Sequence, residues 1–330
     1  MHLIVPFAAS LSEPCQHALT RLAPGGDTAL PHLSALLAGV AAHDAVTDDE
    51  YALHLPHERV LAQAMGWPAG ADGTLPWASW WAAQDGLALP PGETWALLSP
   101  GHWLMGRDHL TLIDPAQLQL TEGESRALFD AVAPFFESDG WTLRFGAPSR
   151  WYATHPTLTG LPTASLDRVI GRNPDVWLTD HPQARVLRRL QAEAQMLWYQ
   201  HPLHDERQSR GLLPVNSFWV SGCGVVREPA PLQATVLTDL RAPLLADDMP
   251  AWLDAWQALD AGPLAEAHAA LDAGQPVTLT LCGERHARTW AHTAAAMPAH
   301  QSGLKGWWHK LTGARPGRAA PALNDTLGAL

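Results

Sequence analysis

The chain has 330 residues, of which 47% are apolar and 16% charged, with a formal net charge of −12. This length and apolar content support one large packed domain or two modest ones, and the acidic balance excludes general nucleic-acid binding through the body of the protein. Three cysteines at wide spacing, Cys15, Cys223 and Cys282, make neither a disulfide framework nor a thiolate metal site; they point to reduced thiols and a cytoplasmic setting.

The run Leu3-Ile4-Val5-Pro6-Phe7 lacks a basic flank and is too short for a signal peptide or a membrane span, so no transmembrane segment is expected. It predicts a buried strand over 2–8, of the kind found in a parallel sheet. A helix over 12–22 follows, then a loop at Pro24-Gly25-Gly26-Asp27 and a second helix over 30–38. An acidic loop (Asp44, Asp48, Asp49, Glu50) leads to a helix at 57–66, closed by Gly66-Trp67-Pro68. Residues 76–85 read as helix, Trp95–Leu98 and Leu110–Ile113 as strands, 121–138 as a long helix, and 141–145 and 150–154 as strands. Apolar residues at helical spacing (Leu187, Leu190, Ala194, Leu197, Trp198) predict a helix stopped by His201-Pro202. A short polar helix or turn, a tight turn at Gly211 to Pro214 and a strand over Val215–Val220 come next, running into a Gly222-Cys223-Gly224 loop. Strand 234–238, helices 249–260 and 263–273, and strand Pro276–Cys282 complete the pattern.

Strand–helix alternation gives way after Thr121 to a helix followed by two adjacent strands, the pattern of a small α+β lobe. Residues 1–95 and 158–290 are therefore read as a discontinuous α/β core, 96–157 as an inserted lobe, and 291–330 as a flexible basic tail. From Arg285 to Asn324 there is no acidic residue, and the only two lysines, Lys305 and Lys310, flank Trp307-Trp308-His309. Two readings of this tail stand: a segment that touches anionic lipid, nucleic acid or an acidic partner, and a disordered Ala/Pro/Gly-rich terminus.

Several residues carry candidate chemistry. Arg207 offers a bidentate positive fork, Asn216 a donor and an acceptor, and Gly222 and Gly224 let backbone N–H groups approach a ligand. Together they suit an anion pocket. The alternative is an Asn that satisfies a turn and an Arg on a solvated helix face. His54 and His57, and His201 and His204, have the spacing that sets two imidazoles on one helical face, but proline interrupts both pairs. Trp77, Trp80 and Trp81 space aromatics as a core-facing helix does. Cys223 reads as a buried structural thiol, having no basic neighbour in sequence.

The wording of 201–224 narrows the field. His201, Pro202, Arg207, Gly211, Pro214, Asn216, Trp219, Gly222 and Gly224 together resemble the archaeal type of cofactor-independent phosphoglycerate mutase, of the alkaline phosphatase superfamily. The stretch 115–130 resembles a helix of that family, and Arg144-Phe145 and Trp151-Tyr152-Ala153 resemble the two strands after it. Leu30 to Leu36 is similar to a helix near the N-terminus of the superfamily's enzymes. More narrowly, the chain resembles the bacterial RpfE-type regulatory proteins. The resemblance implies an α/β fold with an alkaline-phosphatase-like sheet sandwiched by helices and a small inserted α+β lobe.

It also implies two divalent metals and a serine that carries the phosphoryl group. Here the chain departs from the pattern. Val5-Pro6-Phe7-Ala8-Ala9 stands where a metal-binding aspartate ends the first strand, and Tyr51 to Pro68 contains no serine or threonine. Of the late Asp-His pair only His286 matches in type, and Asp247-Asp248 is the nearest acidic cluster to the missing ligand run. The expectation is a non-catalytic regulatory or interaction protein with no catalytic residues, no cofactor and an unidentified protein partner. The alternative is a phosphoglycerate mutase or phosphomonoester hydrolase using Mn or Zn on relocated ligands, drawn from His54, His57, His286, Asp44, Asp48 and Asp239.

Overall fold

Leu3, Ile4 and Val5 are buried on both faces of β1 (His2–Val5), as a strand in the interior of a mixed α/β sheet requires. A computed structural model describes residues 1–23, 26–228, 230–292 and 322–330. The chain divides into two compact units, one made of 1–50 with 233–330 and the other of 51–232. The expected lobe at 96–157 falls wholly inside the second unit, which extends beyond it on both sides.

In chain order, β1 is followed by α1 (Glu13–Leu19), α2 (Pro31–Gly39), β2 (Ala41–Thr47), α3 (Pro56–Ala64) and α4 (Trp77–Gln84). Then come β3 (Thr94–Met105), β4 (Leu110–Ile113), α5 (Glu122–Ser138), β5 (Thr142–Ala147) and β6 (Arg150–Thr154). The short α6 (Leu166–Val169), the long α7 (Ala184–Tyr199), α8 (Leu203–Ser209) and β7 (Ser217–Val225) complete the second unit. The first unit resumes with β8 (Thr235–Val236), α9 (Arg241–Leu245), α10 (Met249–Leu259), α11 (Ala265–Asp272), β9 (Thr278–Cys282) and β10 (His286–Ala291).

The first unit holds a mixed sheet of order β2-β10-β9-β1-β8. β1 runs parallel to β8 and β9, while β10 is antiparallel to β9 and β2. Residues expected as an acidic loop therefore belong in part to β2: Asp44 stands opposite Thr289. Six of the seven β2 residues are exposed, so the strand has no apolar alternation for sequence reasoning to detect. The tail's lysines and its tryptophans, Trp307 and Trp308, lie outside the described residues. Leu323–Gly328 is helical, and Leu323 and Leu327, one turn apart, are buried where this helix meets α1.

The second unit is built on an antiparallel five-stranded sheet of order β4-β3-β6-β5, with β7 also paired to β3. Its main core joins α5 and α7 to one face through Leu128, Phe136, Trp151, Leu190, Trp198 and Phe218. The apolar spacing over 187–198 produces the expected amphipathic helix, with Leu187, Leu190, Ala194 and Trp198 buried. Buried indole N–H groups need acceptors: Trp198 Nε1 donates to the Leu128 carbonyl at 3.1 Å and Trp151 Nε1 to Ser125 Oγ at 2.9 Å. Among the described residues no helix is long and apolar enough to cross a membrane.

Candidate functional site

Thr121-x-x-Glu124 opens α5 with a capping box. Thr121 Oγ1 accepts the Glu124 N–H at 3.3 Å, and Glu124 Oε2 accepts the Thr121 N–H at 3.0 Å. The same carboxylate then receives two arginines from α8 and its C-terminal end: Arg207 Nη1 donates to Oε2 at 2.9 Å and Arg210 Nη2 to Oε1 at 2.8 Å. Arg207 also donates from Nε to the Leu213 carbonyl at 2.9 Å and from Nη2 to the Leu118 carbonyl at 2.5 Å. Arg207 is fully buried. Burial alone would raise the Glu124 carboxyl; the Thr121 donors and the two guanidinium groups outweigh it and hold the group below its ordinary value.

Beyond Arg207 the chain reverses at Gly211, in the left-handed region at φ 72°. Asn216 then extends the ladder by its side chain: Oδ1 accepts the Trp103 N–H at 2.7 Å and Nδ2 donates to the Trp103 carbonyl at 3.0 Å. The Gly222-Cys223-Gly224 segment is not a loop after a strand. It lies inside β7, where Ser221 pairs with Leu97 and Gly224 with Trp95, so two residues of β7 face the single Ala96. Gly222, at φ 63°, supplies the left-handed step that such a bulge demands. The absence of side chains also seats α4: a Cβ on Gly222 would lie 2.6 Å from the Ala78 nitrogen, and one on Gly224 2.8 Å from Pro76 Cα. Cys223 is buried, and that burial pushes its thiol up to about 12.

The four expected ligand-binding residues lie in one unit. The side chains of Arg207 and Asn216 are engaged by main chain and by Glu124. A cavity of about 40 Å³, room for about one water, opens instead beside Leu161, Thr163, Trp177, Arg188 and Trp219. Trp77 packs in the core against Trp67, with ring centroids 4.9 Å apart, while Trp81 is partly exposed and lies under the Arg150 guanidinium.

The histidine candidates separate by unit. In the second unit His54 is buried; its Nδ1 accepts the Gly73 N–H at 3.0 Å and lies 3.5 Å from Asp72. Asp72 in turn accepts the N–H groups of Leu53 and His54 and an Arg59 guanidinium N–H at 2.7 Å. His57 is buried one turn later, and the His201 and His204 rings stand 6.4 Å apart. His286 lies in β10, and Asp44 in β2, of the first unit. Asp48 follows β2 there, its N–H donating to the Arg285 carbonyl, and Asp239 follows β8. Among the described residues no three His, Cys, Asp or Glu side chains form a group able to hold a metal ion.

One grouping had no local signal in the sequence. Asp85, after α4, accepts two guanidinium N–H groups from Arg150 at 2.9 and 2.5 Å and the Tyr152 hydroxyl at 2.5 Å. Burial would raise the Asp85 carboxyl, but these donors hold it low, and burial with the nearby carboxylate pushes the Tyr152 hydroxyl up. Sixty-five positions separate Asp85 from Arg150, which is why periodicity could not pair them.

Beyond the carboxyl end of β1, where ligands sit in open α/β sheets, the chain packs back against the end of β9. Phe7 is buried at φ 59° and its carbonyl accepts Trp252 Nε1 at 3.2 Å. Ala8 N–H donates to the Cys282 carbonyl at the end of β9. Leu330 packs on Gly283, and its main-chain oxygen accepts the N–H groups of Arg285 and His286. The carboxylate at this end, Glu284, is buried and accepts the Leu11 N–H at 2.7 Å, and among the described residues it joins no group of three metal-ligating side chains.

No family model and no curated protein matches the chain. Among solved structures, it is similar to the cofactor-independent phosphoglycerate mutase from Thermoplasma acidophilum, with 14% identity, a TM-score of 0.36, and 90% of each chain covered. It is also similar to the PH0037 protein from Pyrococcus horikoshii, with 13% identity, a TM-score of 0.42, and 88% of this chain and 86% of that one covered.

Proposed function

We propose that the chain is a non-catalytic regulatory or interaction protein, of the RpfE-like kind that its sequence resembles, on a phosphoglycerate-mutase-like scaffold. The observation that carries this reading is Phe7. A buried aromatic side chain with its carbonyl tied to Trp252 occupies the strand end where a metal-binding carboxylate would be required. The stretch Tyr51 to Pro68, without a serine or threonine, supports the reading further, since the serine-borne phosphoryl intermediate that the resemblance implies cannot form there. The buried, internally paired state of Arg207 supports a structural role for 201–224 over an anion pocket.

A coupled phosphoglycerate mutase assay and a phosphomonoester hydrolysis assay, each with added Mn²⁺ and then Zn²⁺, test the proposal. The expected outcome is no turnover above blank with either ion. Turnover that a chelator abolishes would overturn it in favour of an enzyme with relocated ligands.

A further inference from the structure

Two imidazoles from separate helices of the first unit meet nitrogen to nitrogen. His32 sits in the first turn of α2 and His268 in α11; their Nδ1 atoms are 3.2 Å apart and their ring centroids 5.5 Å. The approach is held from below by Asp260, a buried carboxylate at the turn between α10 and α11. Its oxygens accept the His32 N–H at 3.3 Å and the Leu33 N–H at 2.8 Å. That turn is π-helical over Asp260–Leu264, with Gly262 outside helical geometry, so α11 is re-aimed just before it presents His268. On the far side of the ring, His268 Nε2 lies 3.6 Å from Asp272 Oδ2.

At this separation one imidazole must donate and the other accept. The same separation is close to what one metal ion imposes. Two imidazole nitrogens at about 2.0–2.1 Å from a tetrahedral Zn²⁺ stand about 3.3 Å apart. Loading needs no net loss of a proton: the imidazole that carried hydrogen on Nδ1 shifts to its Nε2–H tautomer, leaving both Nδ1 lone pairs for the ion. For His268 that tautomer points a donor at Asp272, the carboxylate-behind-histidine arrangement that orients metal-bound imidazoles.

We propose that His32 and His268 form a two-histidine site for a divalent transition ion of the Zn²⁺ or Cu²⁺ class. Imidazole selects these ions over Mg²⁺ and Ca²⁺. No third His, Cys, Asp or Glu side chain joins the pair among the described residues, so water completes the coordination and the ion exchanges freely. The site is independent of the strand ends discussed above, and it clamps α2 to α11 without a catalytic role.

Calorimetric titration of the full chain with Zn²⁺ tests it, alongside His32→Gln, His268→Gln and the control His201→Gln. Either of the first two should remove one equivalent of binding, while the control retains it. Asp272→Asn, which leaves both ligands in place, should weaken that equivalent about 10-fold. Cu²⁺ at one equivalent should give an electron paramagnetic resonance spectrum split by two nitrogens in the wild type. Zn²⁺ binding unchanged in His32→Gln, His268→Gln and Asp272→Asn alike, or a Cu²⁺ spectrum unaffected by them, would overturn the proposal. Should either glutamine variant fail to fold, Asp272→Asn and the wild-type Cu²⁺ spectrum decide it.

Discussion

Glu124 and Arg207 stand 83 positions apart in sequence and meet at 2.9 Å with the arginine fully out of water and the carboxylate nearly so. Neither charge has a local reason to be buried. The pair is tolerable because every strong donor and acceptor around it is used: Glu124 takes donors from Thr121, Arg207 and Arg210, while Arg207 also reaches the carbonyls of Leu118 and Leu213. It joins the start of α5 to the reversal after α8, where Arg207 Nε reaches the Leu213 carbonyl.

Removing one partner should cost much more than removing both. Glu124→Gln leaves the Arg207 charge buried without compensation and should destabilise by about 3 kcal/mol. Arg207→Met in that background should recover much of that loss, because the stranded charge is gone. A double-mutant cycle by urea unfolding measures the coupling. Additive costs would mean that the two groups are independent.

Acid should weaken the protein in two pH windows. His2, His204 and His286 are held below the ordinary histidine value, first by burial and then by neighbouring positive groups. The unfolded chain binds these protons more readily, so stability falls as pH drops through about 6.5. Asp72, Asp85 and Glu124 are held low by their donors despite burial. Their contribution is complete above about pH 4.5 and is lost as pH falls below it. In both windows the unfolded state holds more protons, so the unfolding midpoint should rise with pH across each of them. Glu124→Gln should lessen the slope in the lower window, where Asp72 and Asp85 still act, and leave the upper one unchanged.

Gly222→Ala should destabilise by about 3 kcal/mol, combining left-handed strain with displacement of α4. Gly211→Ala provides the control. It has a comparable φ of 72°, but a Cβ there meets nothing within 4 Å, so only the backbone term of about 1 kcal/mol remains. Thermal unfolding of the two variants separates close approach from conformation. Equal costs would show that α4 gives way freely.

These contrasts mark what the sequence could and could not disclose. The Thr121–Glu124 box and the apolar stripe Leu187, Leu190, Ala194, Trp198 are local signals, and both elements form where periodicity predicts them. The glycines at 222 and 224 carry an equally local signal that has two meanings. A glycine that frees a loop and a glycine that makes room inside a bulged strand look alike until the partner, here Pro76 and Ala78, is known. β2 has no legible pattern because nearly all of its residues are exposed. The groupings Glu124–Arg207, Asp85–Arg150 and His32–His268 are long-range pairings, set by which elements the fold brings together and by nothing in the neighbouring residues.

Asn216 gives the sharpest test of whether 201–224 is scaffold or pocket. Its side chain closes two hydrogen bonds on Trp103, one as acceptor at 2.7 Å and one as donor at 3.0 Å, just before β7 begins its pairing with β3. Asn216→Ala leaves both main-chain groups of Trp103 without a partner in a part-buried setting and should cost about 2 kcal/mol. Asn216→Asp should cost more. The carboxylate can still accept the Trp103 N–H, but it has no hydrogen for the Trp103 carbonyl and sets negative charge against that oxygen. The order wild type, then Ala, then Asp in urea midpoint at about pH 7.5 follows from the two-bond geometry. A residue kept for ligand contact would behave otherwise, with both variants within about 0.5 kcal/mol of wild type in the absence of ligand. In acid, protonation gives the introduced carboxyl one donor, so the gap between the Ala and Asp variants should close as pH falls towards about 4.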